Sequence, residues 1–246
     1  MSRSAMVIIG IVGSPAGGKS TVGRRLRELG ATWVNADRLA HKCLRWAPLI
    51  AQLVDKFGGQ IVTAGGQIDR RALAQHVFGD DAESQERLDY LESVIHPYTR
   101  HLALRRLSRA ASWGVPMGVL DAPLLLEADW GVLCDQIWCV DAPETLRRQW
   151  IKQRGWSVAE LQRRERRQLP ISEKRRLATQ VIENQGGLET LLQQVDQLHR
   201  SLMAQRQANQ SELDAAGPNH CLQYLRFSQS LPSTLPSSGP PGPALF

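Results

Sequence analysis

A nine-residue stretch near the amino terminus, Gly13-Ser-Pro-Ala-Gly-Gly-Lys19-Ser20-Thr21, carries residue types that bind phosphate. It fits the pattern G-x-x-x-x-G-K-[ST] of the phosphate-binding loop. In such a loop the glycines let the backbone come close enough for successive N–H groups to point at phosphate oxygens. Lys19 can reach the terminal phosphates of a nucleotide, and the Ser20 hydroxyl can hold Mg²⁺. The residues predicted to bind the nucleotide are Gly13, Ala16, Gly17, Gly18, Lys19, Ser20 and Thr21.

The segments on either side predict the elements that this motif requires. Residues 7–12 form a short β-branched run typical of a buried strand, and Val22, Leu26 and Leu29 fall at helical spacing. A helix that begins at the loop adds a partial positive charge where the phosphates bind. The alternative, a glycine-rich turn with a chance lysine, does not account for a strand and a helix in these places.

Two acidic residues follow further strand patterns. Residues 32–34 predict a second strand, and Asp37 follows its carboxyl end, where open parallel sheets bind their ligands. Asp37 could instead cap the helix predicted over residues 38–44, and position alone leaves both roles open. A third apolar run, 118–121, ends in Asp121, as in a loose Walker B segment whose acid lies near Mg²⁺.

Two helical regions surround these acids along the chain. Helical patterns over residues 49–57, 71–78, 83–94 and 98–113 lie between the second and third strands, and His96-Pro97 predicts a break between the last two. This region is too long for a plain crossover, so we expect a helical insertion over about 45–113 that holds a second substrate. Residues 135–140 and 180–183 predict the fourth and fifth strands.

Cations concentrate in residues 147–176, where eleven arginines and lysines accompany three glutamates. We interpret the helix–turn–helix over about 154–170 as a lid whose arginines stabilise a migrating phosphoryl group and exclude water. The simpler alternative, a solvated helical face, accounts for some of these residues.

Composition bounds the setting of the protein. Its 246 residues carry a net charge of +6 and four scattered cysteines without metal-site spacing. The sequence shows neither a signal-peptide pattern nor the ~20 consecutive apolar residues of a membrane span, so we expect a cytoplasmic protein. From about residue 208, proline, serine and glycine are frequent; we expect a folded domain over 6–207 and a mostly disordered tail over 208–246.

The chain resembles the dephospho-coenzyme A kinase family over roughly residues 7–205. Besides the phosphate loop, the resemblance rests on several motifs in a specific order. They are Asn35-Ala-Asp37, Ile68-Asp-Arg70, Ile95-His-Pro97, Leu120-Asp-Ala-Pro-Leu-Leu-Leu-Glu127, Val140-Asp-Ala-Pro143, Arg164, Gln168, Lys174-Arg175 and Val181-Ile-Glu-Asn184.

The resemblance implies an α/β P-loop kinase similar to nucleoside monophosphate kinases, with a parallel-sheet core, a helical acceptor-binding insertion and a helical lid. It implies transfer of the ATP γ-phosphate to the ribose 3′-hydroxyl of dephospho-coenzyme A, the last step of coenzyme A synthesis. Asp37 matches the acid that takes the hydroxyl proton, Arg164 matches the lid arginine, and Asn184 falls in the segment that meets adenine. Lys19 completes the expected catalytic set, and Ser20 and Asp121 are the expected Mg²⁺ ligands. We expect a monomer or weak oligomer, without nucleic-acid or membrane partners.

Four positions depart from the family pattern. Asn35 stands where aspartate is usual, Pro15 and Ala16 where isoleucine and glycine are usual, and Thr179 where aspartate is usual. Alanine fits at position 16 if that residue keeps a negative φ.

Two other functions fit part of the pattern. One is another small-molecule kinase, such as a nucleoside or shikimate kinase, which a panel of acceptors would distinguish. The other is a nucleotide switch or nucleic-acid-binding ATPase that uses the basic stretch, for which binding would depend steeply on salt. The Asn-Lys-x-Asp signature expected of GTPases does not occur in the sequence.

Overall fold

A computed structural model describes residues 6–79 and 81–215. The chain divides into two compact units, Met1–Leu198 and His199–Phe246. The first unit holds every strand named below. The described part of the second unit is the end of the last helix.

The core of the first unit is a parallel sheet in the order β2-β3-β1-β4-β5. Its strands are β1 (Val7–Gly13), β2 (Thr32–Asn35), β3 (Met117–Asp121), β4 (Gln136–Asp141) and β5 (Gln180–Glu183). All five predicted strands are confirmed to within two residues at each end. Because the strands run parallel, their carboxyl ends meet at one edge, and Asn35 pairs in register with Asp121 there.

Helices surround this sheet as expected for a parallel α/β fold. They are α1 (Lys19–Glu28), α2 (Ala36–Cys43), α3 (Ala47–Phe57), α4 (Arg70–Val77), α5 (Ala82–Ser112), α6 (Glu144–Gln153), α7 (Val158–Arg166), α8 (Ile171–Leu177) and α9 (Leu188–Ala215). The predicted fold class, α/β with a parallel-sheet core, is confirmed.

The predicted break at His96-Pro97 is wrong. Helix α5 runs without interruption for 31 residues and contains Pro97. A proline inside a helix removes one backbone hydrogen bond and crowds the preceding turn. The packing of both halves of α5 offsets this local cost, because Leu88 and Ile95 are buried among the insertion helices, whereas Leu107 is buried against the sheet.

The helices between β2 and β3 have an apolar cluster of their own. It includes Leu49 and Leu53 of α3, Leu73 of α4 and Leu91 of α5. A separate cluster around Leu120 holds the sheet and the carboxyl-terminal half of α5. Helix α5 therefore connects the two clusters.

The described helices include none that is long and apolar enough to cross a membrane. Helix α9 continues to Ala215, so the first residues assigned to the tail are helical. The rest of the predicted disordered tail, 216–246, lies outside the described residues. Cys43, Cys134 and Cys139 are free thiols, and Cys221 lies outside the described range.

Candidate active site

The phosphate loop starts at the carboxyl end of β1, where only glycine fits. Gly13 has a φ of 139°, and a Cβ atom added there would lie 2.0 Å from the carbonyl oxygen of Val140. Gly18 also has a positive φ and directly precedes α1. These two glycines let the loop turn from the sheet into the helix whose amino terminus faces the phosphate site.

The condition under which alanine fits without strain at position 16, a negative φ, is not met, because the φ of Ala16 is 61°. This left-handed conformation is strained for a residue with a Cβ atom. The methyl group of Ala16 is buried in a small apolar cluster with Ile151, Leu161 and Trp156. Packing against the lid helices therefore offsets part of the strain in the loop.

Lys19 is folded back onto its own loop. Its Nζ donates hydrogen bonds to the carbonyl oxygens of Gly13 at 2.8 Å and Ser14 at 2.9 Å. Burial lowers the pKa of Lys19 to about 8, although the nearby carboxylates of Asp121 and Asp37 oppose this change. An anionic phosphate beside Lys19 would favour its charged form.

A network of charged side chains from β4, β5 and α8 supports the phosphate loop. The Ser14 hydroxyl donates to Asp141 at the end of β4, at 3.3 Å. Arg175 of α8 donates to Asp141 at 2.9 Å and to Glu183 of β5 at 2.6 Å. The motif residues Asp141 and Arg175 thus join the loop to two strands.

Asn184 also supports the loop. Its side chain is buried, and its Nδ2 donates to the carbonyl oxygen of Gly17 at 3.0 Å, while its Oδ1 accepts from the backbone of Gly186. The Asn184 side chain therefore stabilises the phosphate loop through its hydrogen bond to Gly17. Its predicted place in the adenine-binding segment stays a prediction.

Asn35 and Asp121 meet at the edge of the sheet. Asn35 Nδ2 donates to Asp121 Oδ2 at 2.8 Å, and Trp33 Nε1 donates to the same oxygen at 3.3 Å. Asp121 is 3% exposed, and this burial raises its pKa above the usual range. The other carboxyl oxygen of Asp121 accepts no hydrogen bond from the described residues.

The structure assigns the cap of α2 to Asn35. Its Oδ1 accepts from the backbone N–H of Arg38 at 2.9 Å, so Asp37 lies inside the first turn and does not cap the helix. Asp37 is exposed to solvent. Partial desolvation by the surrounding protein raises its pKa, and the positive charges of His41, Lys19 and Arg164 oppose this increase.

A cavity of about 100 Å³ brings most of the predicted site residues together. It is lined by Ala16, Gly17, Gly18, Lys19 and Ser20 of the loop, by Asp37 and Asp121, and by Arg164 of α7. Asn184 is not among the residues that line this cavity. The predicted metal ligands Ser20 and Asp121 therefore share one cleft with the predicted catalytic residues.

The same cavity includes Arg154, one of the predicted lid arginines, Gln168, a motif residue without a predicted role, and Trp156, which the sequence analysis had not singled out. The guanidinium group of Arg164 lies 4.1 Å from the ring centroid of Trp156 and donates to Glu160 at 2.8 Å. In the sequence, the signal for this contact was a tryptophan between two basic helices. Which arginine stacks on Trp156 depends on how the turn folds.

Many cations of the basic stretch form ion pairs within the protein. Arg167 contacts Glu92 of α5, Arg147 contacts Glu165, and Arg176 contacts Glu173. The high local charge therefore serves internal contacts as well as the cleft, where Arg154 and Arg164 lie.

The oxygen ligands in the cleft fit Mg²⁺. Mg²⁺ usually binds one or two protein oxygens and completes its shell with phosphate oxygens and water. Asp121 offers a carboxyl oxygen without a hydrogen-bond donor among the described residues, and Ser20 lines the same cavity. No cluster of three or more His, Cys, Asp or Glu side chains suited to a metal occurs among the described residues, so phosphate oxygens would be needed to complete a site.

A phosphate loop between a central parallel strand and a helix, facing a helical hairpin that supplies arginines, places this chain among the P-loop kinases. Comparison with known proteins specifies the family. A family model described as dephospho-CoA kinase matches residues 7–190, and the chain belongs to this family.

Individual relatives agree with this family. The dephospho-CoA kinase of Rhodopirellula baltica is 40% identical over 189 residues, which cover 77% of this chain and 88% of the relative. A crystal structure of a Thermus thermophilus protein is 38% identical with a TM-score of 0.67, covering 82% of this chain and 98% of that one. The dephospho-CoA kinase structure from Campylobacter jejuni, at 24% identity and a TM-score of 0.56, covers 79% and 96% and supports the fold.

Proposed function

We propose that this protein transfers the γ-phosphate of ATP to the ribose 3′-hydroxyl of dephospho-coenzyme A, which gives coenzyme A and ADP. The observation that carries the proposal is that Asp37, Lys19 and Arg164 line one cavity with the phosphate loop. Family membership supplies the acceptor.

Asp37 is suited to act as the general base. As O3′ bonds to the γ-phosphorus and the bond to the β–γ bridging oxygen breaks, its carboxylate takes the hydroxyl proton. The charges of Lys19 and Arg164 favour the ionised form of Asp37 that this step requires. Its exposure leaves room for the acceptor to approach from solvent.

Positive groups stabilise the phosphates during transfer. Lys19 can exchange its contacts with the loop carbonyls for phosphate oxygens, and Arg164 lines the same cavity. Ser20 and Asp121 would hold Mg²⁺, whose charge offsets that of the phosphates. Phosphoryl transfer depends mainly on such positioning and charge stabilisation, and these groups contribute to both.

Contacts near Asp37 support acceptor binding by the insertion. Nη2 of Arg70 on α4 lies 3.0 Å from Nε2 of His41 on α2, and both side chains are exposed. This pair presents positive charge and a hydrogen-bonding ring one turn from Asp37. An anionic nucleotide acceptor would complement both groups.

The remaining assignments belong to the same proposal. Residues 6–207 form the kinase domain, about 45–113 hold the acceptor, and about 154–170 close over the nucleotide as a lid. We propose a cytoplasmic enzyme that acts as a monomer or weak oligomer, without a nucleic-acid or membrane partner.

ADP release from Mg-ATP, measured with and without dephospho-coenzyme A, tests the proposed function. We expect strong stimulation by the acceptor and a product with the mass of coenzyme A. Coenzyme A itself is the matched control, because its 3′-oxygen is already phosphorylated and it should not stimulate. Equal ADP release with and without the acceptor would contradict the proposal, and a panel of other acceptors and a salt-titrated nucleic-acid binding assay would then identify the alternative.

A further inference from the structure

We infer that Gln168 is a further catalytic residue: its side-chain amide donates a hydrogen bond to the transferring phosphoryl group, and the buried Lys174 fixes the direction of that amide. The inference rests on the proposed function for the reaction itself. It adds a neutral donor to the charged groups described above.

Gln168 lies in the wall between two cavities. On one side it lines the cleft with Lys19, Asp37 and Arg164. On the other it lines a cavity of about 250 Å³ together with Ser14 and Lys174. It follows Arg164 by four residues, just after the end of α7. Gln168 can therefore interact with Lys174 on one side and with a phosphate on the other.

Lys174 determines which end of the amide faces which side. Its side chain is 1% exposed, and its Nζ lies 2.6 Å from Oε1 of Gln168. An ammonium group has three N–H donors and no acceptor, so the atom that faces it must be the amide oxygen. The reversed amide would place two donors against a buried positive charge, which is strongly unfavourable.

This orientation leaves the amide nitrogen available. Within residues 6–79 and 81–215, no hydrogen-bond acceptor is assigned to Nε2 of Gln168. A phosphoryl oxygen in the cleft would supply one. The ammonium on the oxygen side polarises the amide and makes its N–H groups stronger donors.

A backbone contact of the next residue holds the chain at Gln168 in place without help from the Gln168 side chain. The backbone N–H of Leu169 donates to Oε1 of Glu127 at 2.6 Å, and the same carboxylate lies 3.5 Å from Lys174. The segment and the buried ammonium thus share a second anchor. The Gln168 amide is therefore free to have a role beyond holding the backbone.

Two substitutions separate donation from a structural role. Gln168→Glu keeps an oxygen for Lys174 but replaces the donor with another oxygen, and Gln168→Met removes both the donor and the oxygen that accepts from Lys174 without adding charge. For both we expect kcat to fall about 10²-fold, as for loss of one donor to the developing charge. Gln193→Glu, at an exposed position of α9 away from the cleft, is the matched control and should stay within about twofold of wild type.

Binding of a planar phosphoryl mimic gives a readout that does not depend on the acceptor. We expect both Gln168 variants to bind Mg-ADP with aluminium fluoride about 30-fold more weakly than wild type, and to bind Mg-ADP alone within about threefold. Equal weakening of both ligands, or no change in either, would overturn the inference. Failure of wild type to make coenzyme A would instead count against the proposed acceptor, because the fluoride measurement tests Gln168 separately.

Discussion

Single residues at the edge of the sheet show how the site accommodates departures from the family pattern. The amide of Asn35 donates to Asp121 through one end and accepts from the backbone of Arg38 through the other, which an ionised aspartate could not do. Thr179 uses its hydroxyl to accept from and donate to the backbone of Ile137. Both substituted side chains therefore have hydrogen-bond partners.

Replacing Asp37 with Asn tests the general base. We expect kcat to fall about 10²-fold or more while the Kd for Mg-ATP stays within about twofold, because the amide cannot take the proton. Asp55→Asn, on the exposed face of α3, is the control. A variant with wild-type turnover would contradict a catalytic role for Asp37.

The pH profile gives a second readout for the same residue. Because the pKa of Asp37 is raised, the active ionised form is lost as the pH falls through a value above the usual aspartate pKa of about 4. We expect the wild-type kcat/KM to decrease on this acidic limb. The residual activity of Asp37→Asn should lack the limb.

Lys19 should take up a proton when the nucleotide binds. With a pKa of about 8, it is partly neutral at pH 8.5 in the free protein, and phosphate binding shifts it to the charged form. Titration calorimetry in two buffers of different ionisation enthalpy should therefore show proton uptake at pH 8.5 and much less at pH 6.5. Lys19→Ala should weaken Mg-ATP binding and remove the uptake, whereas Lys56→Ala should do neither; uptake that persists without Lys19 would contradict this assignment.

At the scale of elements, the lid contacts both other parts of the cleft. Ala16 of the loop packs with Ile151 and Leu161 of α6 and α7. Arg167, just after α7, pairs with Glu92 of α5. The lid segment is thus connected to the loop by apolar contacts and to the insertion by an ion pair.

Helix α5 allows a prediction about stability. Pro97 is exposed and cannot donate to the carbonyl oxygen of Ser93, so Pro97→Ala should restore one backbone hydrogen bond at little cost in packing. We expect the free energy of unfolding in urea to rise by about 1–2 kcal/mol, after allowing for the more flexible unfolded chain. Pro48→Ala, in the first turn of α3, should bring no gain, because the proline there replaces no helical bond. A loss of stability in Pro97→Ala would show that the surrounding helices require the proline.

At the scale of the whole molecule, the ion pairs of the basic stretch and the range of residues matched to the family indicate which parts of the chain take part in catalysis. The cations of the basic stretch pair with acids such as Glu92, Glu127 and Asp141, which are distant in the sequence. The net charge of +6 is therefore weak evidence for a nucleic-acid surface. Residues matched to the family end at 190.

Truncation tests whether the remaining segment matters for catalysis. The cleft is lined by residues up to Gln168, so removal of 216–246 should leave kcat and the KM values for both substrates within about twofold. Steady-state kinetics of the truncated and full chains measure this directly. A loss of more than fivefold in kcat/KM would assign these residues a role in the reaction.

Local sequence patterns determined the strands, most helix bounds and the phosphate loop. Each of these features depends on neighbouring residues: β-branched runs, helical spacing, and glycines around Lys19. The break expected at Pro97 was wrong because that prediction also depended on neighbouring residues alone. Apolar contacts that Leu88 and Leu107 make with different clusters overcome the local preference.

Only the tertiary structure decided how distant residues are used. Asn35 rather than Asp37 caps α2. Asn184 supports the phosphate loop through a hydrogen bond, and Lys174 orients the amide of Gln168. These roles depend on which side chains meet when parallel strands and a folded lid bring them together, and hydrogen-bond partners of this kind leave no periodic signal in the sequence. The sequence therefore determined that the chain binds phosphate, whereas the fold decided which side chains surround it.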